Sequence, residues 1–88
     1  MEGNIYEEAL ETFGVESRLD LCIEEMSELT QALCKCKRNL KHNVEEEMVD
    51  VEIMLEQLRL IFNPHMLEGY KFSKIEKLKG TIKEARRD

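Results

Sequence analysis

Apolar residues recur every three or four positions along most of the chain, which is the spacing of one face of an α-helix. The longest such row lies in the segment 16–39 and just beyond it, and consists of Leu19, Ile23, Met26, Leu29, Leu33, Cys36 and Leu40. A second row has heptad spacing and consists of Val44, Met48, Val51, Leu55, Leu58 and Phe62. The pattern predicts two long amphipathic helices joined by a loop near Lys41 and His42.

Two further helices are predicted, one toward each end of the chain. Residues 4–13 have an apolar side and are followed by Gly14, a residue typical of helix C-termini. Residues 64–86 begin with Pro64, which is tolerated in the first turn of a helix but not in its interior. One face of this last helix is apolar and carries Ile75, Leu78, Ile82 and Ala85.

The limits of the third helix are indicated by two polar signals. Asn43 stands three residues before Glu46, the arrangement of a capping box, and predicts the start of the helix. The helix is predicted to continue through Phe62 and to end before Asn63 and Pro64. Period-two runs of β-branched and aromatic residues are missing, so no strand is expected. The sequence therefore predicts a single all-α domain over residues 1–88.

The third helix carries more apolar residues than one face can hold. Five of them lie outside its main row: Val49, Ile53, Met54, Leu60 and Ile61. A helix that is apolar on several sides must be covered on several sides, and an 88-residue chain has few other helices with which to cover it. We therefore expect a bundle of about four helices that is completed by oligomerisation, as a homodimer or a homotetramer.

Composition narrows the classes of function. The chain has 19 acidic and 13 basic residues and a net charge of −6, whereas nucleic-acid binders need a basic surface. Nucleic acid is therefore not expected as a partner. A membrane is not expected either, because no run of about 18 apolar residues and no signal-peptide pattern occurs. The three cysteines are an odd number, which favours free thiols and a cytoplasmic location.

Four acids interrupt the two apolar helices. Glu25 and Glu28 lie three residues apart on the second helix, and Glu47 and Asp50 lie three residues apart on the third. Side chains at this spacing are surface neighbours, so each pair sets two like charges side by side. Most helix carboxylates are simply solvated. Two such pairs on consecutive apolar helices nevertheless favour a shared cation site, for which Mg²⁺ or Mn²⁺ is the natural occupant. The Glu-x-x-His motif of di-iron bundles is absent.

The sequence around these acids resembles a known family. Residues 24–28 read EEMSE and, after eighteen intervening residues, residues 47–50 read EMVD. This EExxE…ExxD pattern resembles the signature of the MazG-like, all-α nucleotide pyrophosphohydrolases, and the resemblance extends over about residues 16–86. It implies an all-α enzyme that uses Mg²⁺ to hydrolyse a nucleoside triphosphate to a nucleoside monophosphate and pyrophosphate.

The resemblance also implies roles for individual residues. The metal ligands would be Glu25, Glu28, Glu47 and Asp50, and the catalytic residue would be Glu24, the first acid of the motif. Relatives bind phosphates with a Lys/Asn/Arg pattern that follows the second acid pair. Here that stretch has lysines but no asparagine in place, and the candidate phosphate-binding residues are Lys74 and Lys77.

A second class of function also fits the pattern. A non-catalytic helical oligomerisation or interaction module would have the same amphipathic helices, with a vestigial carboxylate cluster. No glycine-rich phosphate loop and no Ser/His/Asp set offers a third possibility. The intact set of four acids at the expected ligand positions favours the enzyme.

Overall fold

The computed structural model of the chain is built from α-helices, and it describes residues 2–87, with side chains from residue 5 onward. The four helices are α1 (Glu2–Phe13), α2 (Val15–Lys37), α3 (Val44–Leu58) and α4 (Pro64–Ala85). No strand occurs between residues 2 and 87, so the all-α prediction is confirmed. The predicted domain 1–88 also includes Met1 and Asp88, which lie outside the described residues. Over the described range, no helix combines the length and the apolar character needed to cross a bilayer.

The end of α2 lies two residues before the predicted one. Asn39 adopts a left-handed backbone conformation with φ of 58°. Its N–H donates to the carbonyl of Cys36 at 3.0 Å, and the N–H of Leu40 donates to the carbonyl of Lys35 at 2.9 Å. These two bonds are those of a Schellman motif, in which asparagine is one of the few residues that tolerates the left-handed position. The motif closes the helix at Lys37 and starts the six-residue connection to α3.

The end of α3 lies four residues before the predicted one. The helix stops at Leu58, and residues 59–62 form a turn instead of a further helical turn. In this turn the N–H of Ile61 donates to the carbonyl of Leu58 at 2.9 Å, a tighter i to i−3 bond. The residue before Pro64 is restricted to extended conformations, and Asn63 has a ψ of 114°. The helix therefore has to end some way before the proline.

The two asparagines that precede helices behave differently. The Asn63 side chain accepts a hydrogen bond from the N–H of Met66 at 3.1 Å and caps α4, with the proline at its predicted place in the first turn. The capping box predicted at Asn43 is wrong, because its side chain makes no capping bond to the backbone. Its amide instead donates to the carboxylates of Glu46 and Glu47, at 3.2 and 2.8 Å.

The contact between α2 and α3 forms the interior of the chain. The two helices pack as an antiparallel hairpin, and α1 lies against both. Over residues 5–87, the buried residues belong to this hairpin: Cys22, Ala32, Val51, Met54 and Gln57. Most residues of the two predicted apolar rows lie outside the buried interior, and Ile23, Met26 and Leu55 are among those that are exposed. Met54, which was expected to be exposed on a single chain, is only 4% exposed. The faces that meet are those that carry the acids.

The single chain is open rather than compact. Its radius of gyration is 16.6 Å, compared with about 12 Å for a compact domain of this length. Its accessible surface is 7485 Å², compared with about 5,400 Å² for a typical monomer of this mass. Helix α4 accounts for much of the difference, because it packs against none of the other helices and buries none of its residues. An ion pair of 3.0 Å between Arg59 and Glu68 links its first turns to the end of α3.

Two glycine-to-alanine substitutions are expected to change stability in opposite directions. Gly14 separates α1 from α2 with φ of 86° and ψ of 157°, a conformation that is essentially restricted to glycine. Gly14→Ala should therefore lower the free energy of unfolding by about 1–3 kcal/mol. Gly80 lies within α4 with open space around it, and Gly80→Ala should raise the free energy of unfolding by about 0.5–1 kcal/mol. Urea titrations followed by circular dichroism measure both. Equal effects of the two substitutions would contradict this account of the α1–α2 junction.

Candidate metal centre

Three carboxylates meet on the face where α2 packs against α3. One oxygen from each of Glu25, Glu47 and Asp50 lies within 4.8 Å of the other two. Glu25 comes from the middle of α2, whereas Glu47 and Asp50 come from the first two turns of α3. The short connection between the helices sets the acids opposite one another, and all three side chains are half-buried. Three of the four acids that were predicted to converge therefore lie together in the structure.

The other predicted site residues lie outside this cluster. Glu28 is exposed, but its charge is close enough to raise the pKa of Glu25. Glu24 is also exposed, as expected for a residue that lies about 100° around the helix from Glu25. Lys74 and Lys77 are exposed on α4, which does not pack against α2 or α3, so the chain by itself does not bring them to the acids.

The cluster holds its charges at an electrostatic cost. Burial raises the pKa of the Glu25 carboxyl above its ordinary value, and the negative charges of Glu28 and Asp50 raise it further. Burial also raises the pKa of Glu47, partly opposed by the hydrogen bond from Asn43. One buried oxygen of Glu25 and one of Glu47 have no hydrogen-bond partner. Buried oxygens of this kind need a proton donor or a cation.

The arrangement fits a hard divalent cation. Mg²⁺ takes oxygen ligands at about 2.1 Å, so two ligands on opposite sides of one ion are about 4.2 Å apart. The carboxylate oxygens of the cluster lie within 4.8 Å of one another, so small side-chain rotations would bring them onto one ion. Glu28 lies one helical turn from Glu25 with an exposed side chain and is the candidate for a further ligand. The same oxygen set would accept Mn²⁺.

Asn43 is a site residue that the sequence pattern did not reveal. Its amide donates to Oε1 of Glu47 at 2.8 Å, which leaves the buried Oε2 of Glu47 free. An outer-shell donor of this kind orients a metal ligand. Asn43 lies four residues before Glu47, a spacing that could have indicated this contact. The capping pattern with Glu46 pointed to a purely structural role instead.

Of two cavities that flank α3, one beside α1 and one between α2 and α3, only the second reaches the acids. The larger, about 650 Å³, is an open groove beside α1 that is lined by Tyr6, Val49 and Glu56 among others and includes none of the clustered acids. The smaller, about 220 Å³, lies between α2 and α3 and is lined by Glu25 and Asp50. Because the smaller cavity is continuous with the cluster, it is the more relevant to chemistry at this site.

No protein-family model, curated protein or solved structure matches the chain. Support for a function therefore comes from the local chemistry of the site. Its elements are the three clustered carboxylates, their buried oxygens without partners, and the spacing of the acids along the two helices.

The pKa of Glu25 predicts how stability depends on pH. The pKa of Glu25 is raised in the folded chain above its ordinary value of 4.5, which is the value expected in the unfolded chain. The folded state therefore binds the proton of this carboxyl more tightly than the unfolded state does. The contribution of Glu25 to stability, measured in EDTA, is therefore expected to become more favourable as the pH falls from 7 through the raised pKa. Glu25→Gln should remove this contribution and should stabilise the protein at pH 7, because it relieves repulsion from Glu28, Glu47 and Asp50.

The matched control is Glu52→Gln, an exposed acid on another side of α3. It should stay within about 0.5 kcal/mol of the wild type across the same pH range. Thermal unfolding at pH 5 and pH 7 measures the difference between each variant and the wild type. A difference for Glu25→Gln that is the same at both pH values contradicts the assigned direction of the pKa shift.

Proposed function

We propose that this chain is a Mg²⁺-dependent nucleoside triphosphate pyrophosphohydrolase of the MazG-like type. It would hydrolyse a nucleoside triphosphate to the monophosphate and pyrophosphate, in nucleotide-pool control or the removal of aberrant nucleotides. The observation that carries the proposal is the cluster of Glu25, Glu47 and Asp50, with two buried oxygens that lack partners. The EExxE…ExxD spacing supplies the reaction class.

The charges of site and substrate call for a cation between them. A triphosphate carries about four negative charges and would be repelled by a bare carboxylate cluster. Glu25, Glu47 and Asp50, joined by Glu28, would hold Mg²⁺, and Asn43 would keep Glu47 in place. The bound ion would neutralise phosphate charge and polarise the phosphorus that is attacked. We place the activity in the cytoplasm, where the free Cys22, Cys34 and Cys36 would stay reduced.

We further propose that the active form is a homodimer or a homotetramer. The chain exposes about 2,100 Å² more surface than a compact monomer of its mass. If each of two chains buried this excess, the interface would fall in the range of about 2,000–5,000 Å² found for obligate homodimers. The exposed apolar residues of α2, α3 and α4 supply the surface for such an interface. Packing of α4 on another copy would also allow Lys74 and Lys77 to reach that copy's acids.

Activity and metal binding are tested together on Asp50. With a panel of nucleoside triphosphates and deoxynucleoside triphosphates and Mg²⁺, the wild type should release pyrophosphate and a monophosphate. Asp50→Asn should reduce turnover at least a hundredfold, because it removes a charged ligand from the site. In thermal unfolding, Mg²⁺ at 100 times its Kd should stabilise the wild type by about 2.7 kcal/mol and the variant much less.

The control for this substitution is Asp20→Asn, at an exposed position on α2, which should behave as the wild type in both assays. Glu24→Gln, assayed alongside, tests the catalytic role expected for the first acid of the motif. Release of a nucleoside diphosphate and orthophosphate would contradict the proposal and would show that the enzyme is an ordinary nucleoside triphosphatase. Full activity of the Asp50→Asn variant would show that Asp50 is not a required metal ligand.

A non-catalytic interaction module is the second candidate function. It is favoured by one feature, the unpartnered helix α4 with exposed Tyr70, Phe72 and Leu78. In that case the acids would be vestigial. The absence of both pyrophosphate release and stabilisation by Mg²⁺ or Mn²⁺ would leave this candidate in place of the enzyme.

The oligomeric state is expected to be visible at micromolar concentration. Light scattering coupled to size exclusion should give a mass of two or four chains, because a 10.4 kDa chain alone leaves too much apolar surface in water. Ile82→Glu, on the apolar face of α4, should weaken association. Lys83→Gln, which changes the net charge by the same single unit at the neighbouring exposed position, is the control for the charge change. A folded species of 10.4 kDa for the wild type would refute the assembly.

A further inference from the structure

The smaller cavity is a groove with two different polar ends. Glu25 and Asp50 line one end, and Arg18 and Gln57 line the groove seven residues away along the same two helices. Seven residues of a helix span about two turns, or about 10 Å. Because the two helices are antiparallel, the step from Glu25 back to Arg18 and the step from Asp50 forward to Gln57 run in the same direction along the groove. The side chains between these ends are apolar: Leu21, Ile53 and Met54. The groove thus leads from the acid cluster along an apolar wall to a second set of hydrogen-bonding groups.

Gln57 is a buried polar side chain with an unused acceptor. It is only 4% exposed, and its Nε2 donates to the backbone carbonyl of Ile53 at 3.3 Å. Its Oε1 is buried and has no partner. If the Gln57 amide were rotated by 180°, its Oε1 would face the carbonyl oxygen of Ile53, and two acceptors would meet. The contact with this carbonyl therefore assigns Nε2 as the bonded atom and Oε1 as the atom without a partner. A buried acceptor without a partner lowers stability until an N–H group reaches it.

Arg18 supplies donors at the same end of the groove. Its guanidinium lies over the ring of Phe13, with Cζ 4.4 Å from the ring centroid, and its Nη2 donates to Oγ of Ser17 at 3.2 Å. Its buried Nε has no partner. Among the side chains of residues 5–87, no acid forms an ion pair with Arg18. The guanidinium is therefore held in position and still has donors available to a ligand.

We propose that the end of the groove formed by Arg18 and Gln57 binds the nucleobase of the substrate. This inference rests on the proposed function and specifies its recognition of substrate. Oε1 of Gln57 accepts from an N–H of the base, and Arg18 donates to a neighbouring carbonyl oxygen or ring nitrogen. Each base has donors and acceptors side by side on its Watson–Crick edge. The apolar wall contacts the faces of the ring, and the phosphates extend to the acids.

The volume of the groove agrees with a site that holds the base in the groove and leaves the phosphates near the acids. Cavities that hold a complete drug-sized ligand measure about 300–1,000 Å³, and this one measures about 220 Å³. It therefore takes one ring system, while the phosphates lie at the acid end. Two ends with opposite chemistry, acids for a cation and donor–acceptor groups for a base edge, match the two ends of a nucleotide.

The test separates binding of the base from binding of the phosphates. Steady-state kinetics are measured with the best substrate of the triphosphate panel, and inhibition by magnesium pyrophosphate is measured in parallel. Gln57→Met keeps the volume of the side chain but removes the acceptor. It should raise KM about tenfold, the equivalent of one hydrogen bond, with little change in kcat and none in the pyrophosphate inhibition constant. Arg18→Met should act in the same way.

The controls are Gln31→Met, an exposed glutamine of α2, and Arg38→Met, an exposed arginine after it, neither of which should change KM. An analogue of the same substrate with its base N–H methylated provides a second readout. It should bind the wild type about tenfold more weakly than the parent substrate, and Gln57→Met should bind the two almost equally.

Three outcomes overturn the inference. The first is an unchanged KM in Gln57→Met in an enzyme that is active, which leaves the proposed function standing. The second is an equal weakening of pyrophosphate inhibition in Gln57→Met or Arg18→Met, which would assign these residues to the phosphates. The third is a wild type that hydrolyses no nucleotide, which contradicts the proposed function and this inference together.

Discussion

The face on which α2 packs against α3 carries both the buried apolar side chains of the chain and its cluster of acids. Burial of Met54 and Val51 holds the two helices together, and in doing so it brings Glu25 toward Glu47 and Asp50. Apolar packing and charge repulsion thus act on the same surface in opposite directions. A cation between the helices would turn this repulsion into attraction, and would link metal binding to the stability of the helix pair.

Use of this face for polar groups limits the core that one chain can form. Five residues are buried among the described part of the chain, and one of them is the glutamine Gln57. A domain of this size is marginally stable even with a well-filled core. The apolar rows that most resemble core positions, such as Met26 and Leu55, face outward together with the whole of α4. Association of copies would give these rows the cover that the hairpin lacks.

The sequence predicted the elements well and their facing surfaces poorly. Helical periodicity, Gly14 and Pro64 located the four helices, because these signals are local. The choice of inner face depends on which helix packs where, and the longest apolar row is not a reliable guide when further copies are expected to cover it. The paired acids could be predicted because their spacing repeats on two helices. Arg18 and Gln57 could not, since neither belongs to a repeated pattern and their relation appears only when antiparallel helices meet.

The connectivity of the hairpin also has a consequence for folding kinetics. The main tertiary contact joins two helices that are consecutive in sequence and separated by a six-residue loop. Chains dominated by such local contacts fold in microseconds to milliseconds, since little loop-closure entropy is lost before packing begins. Helix α4 adds no packing contact within its own chain and cannot speed this step. We therefore expect rapid formation of the hairpin and, for the assembly proposed above, a slower bimolecular step whose rate rises with protein concentration.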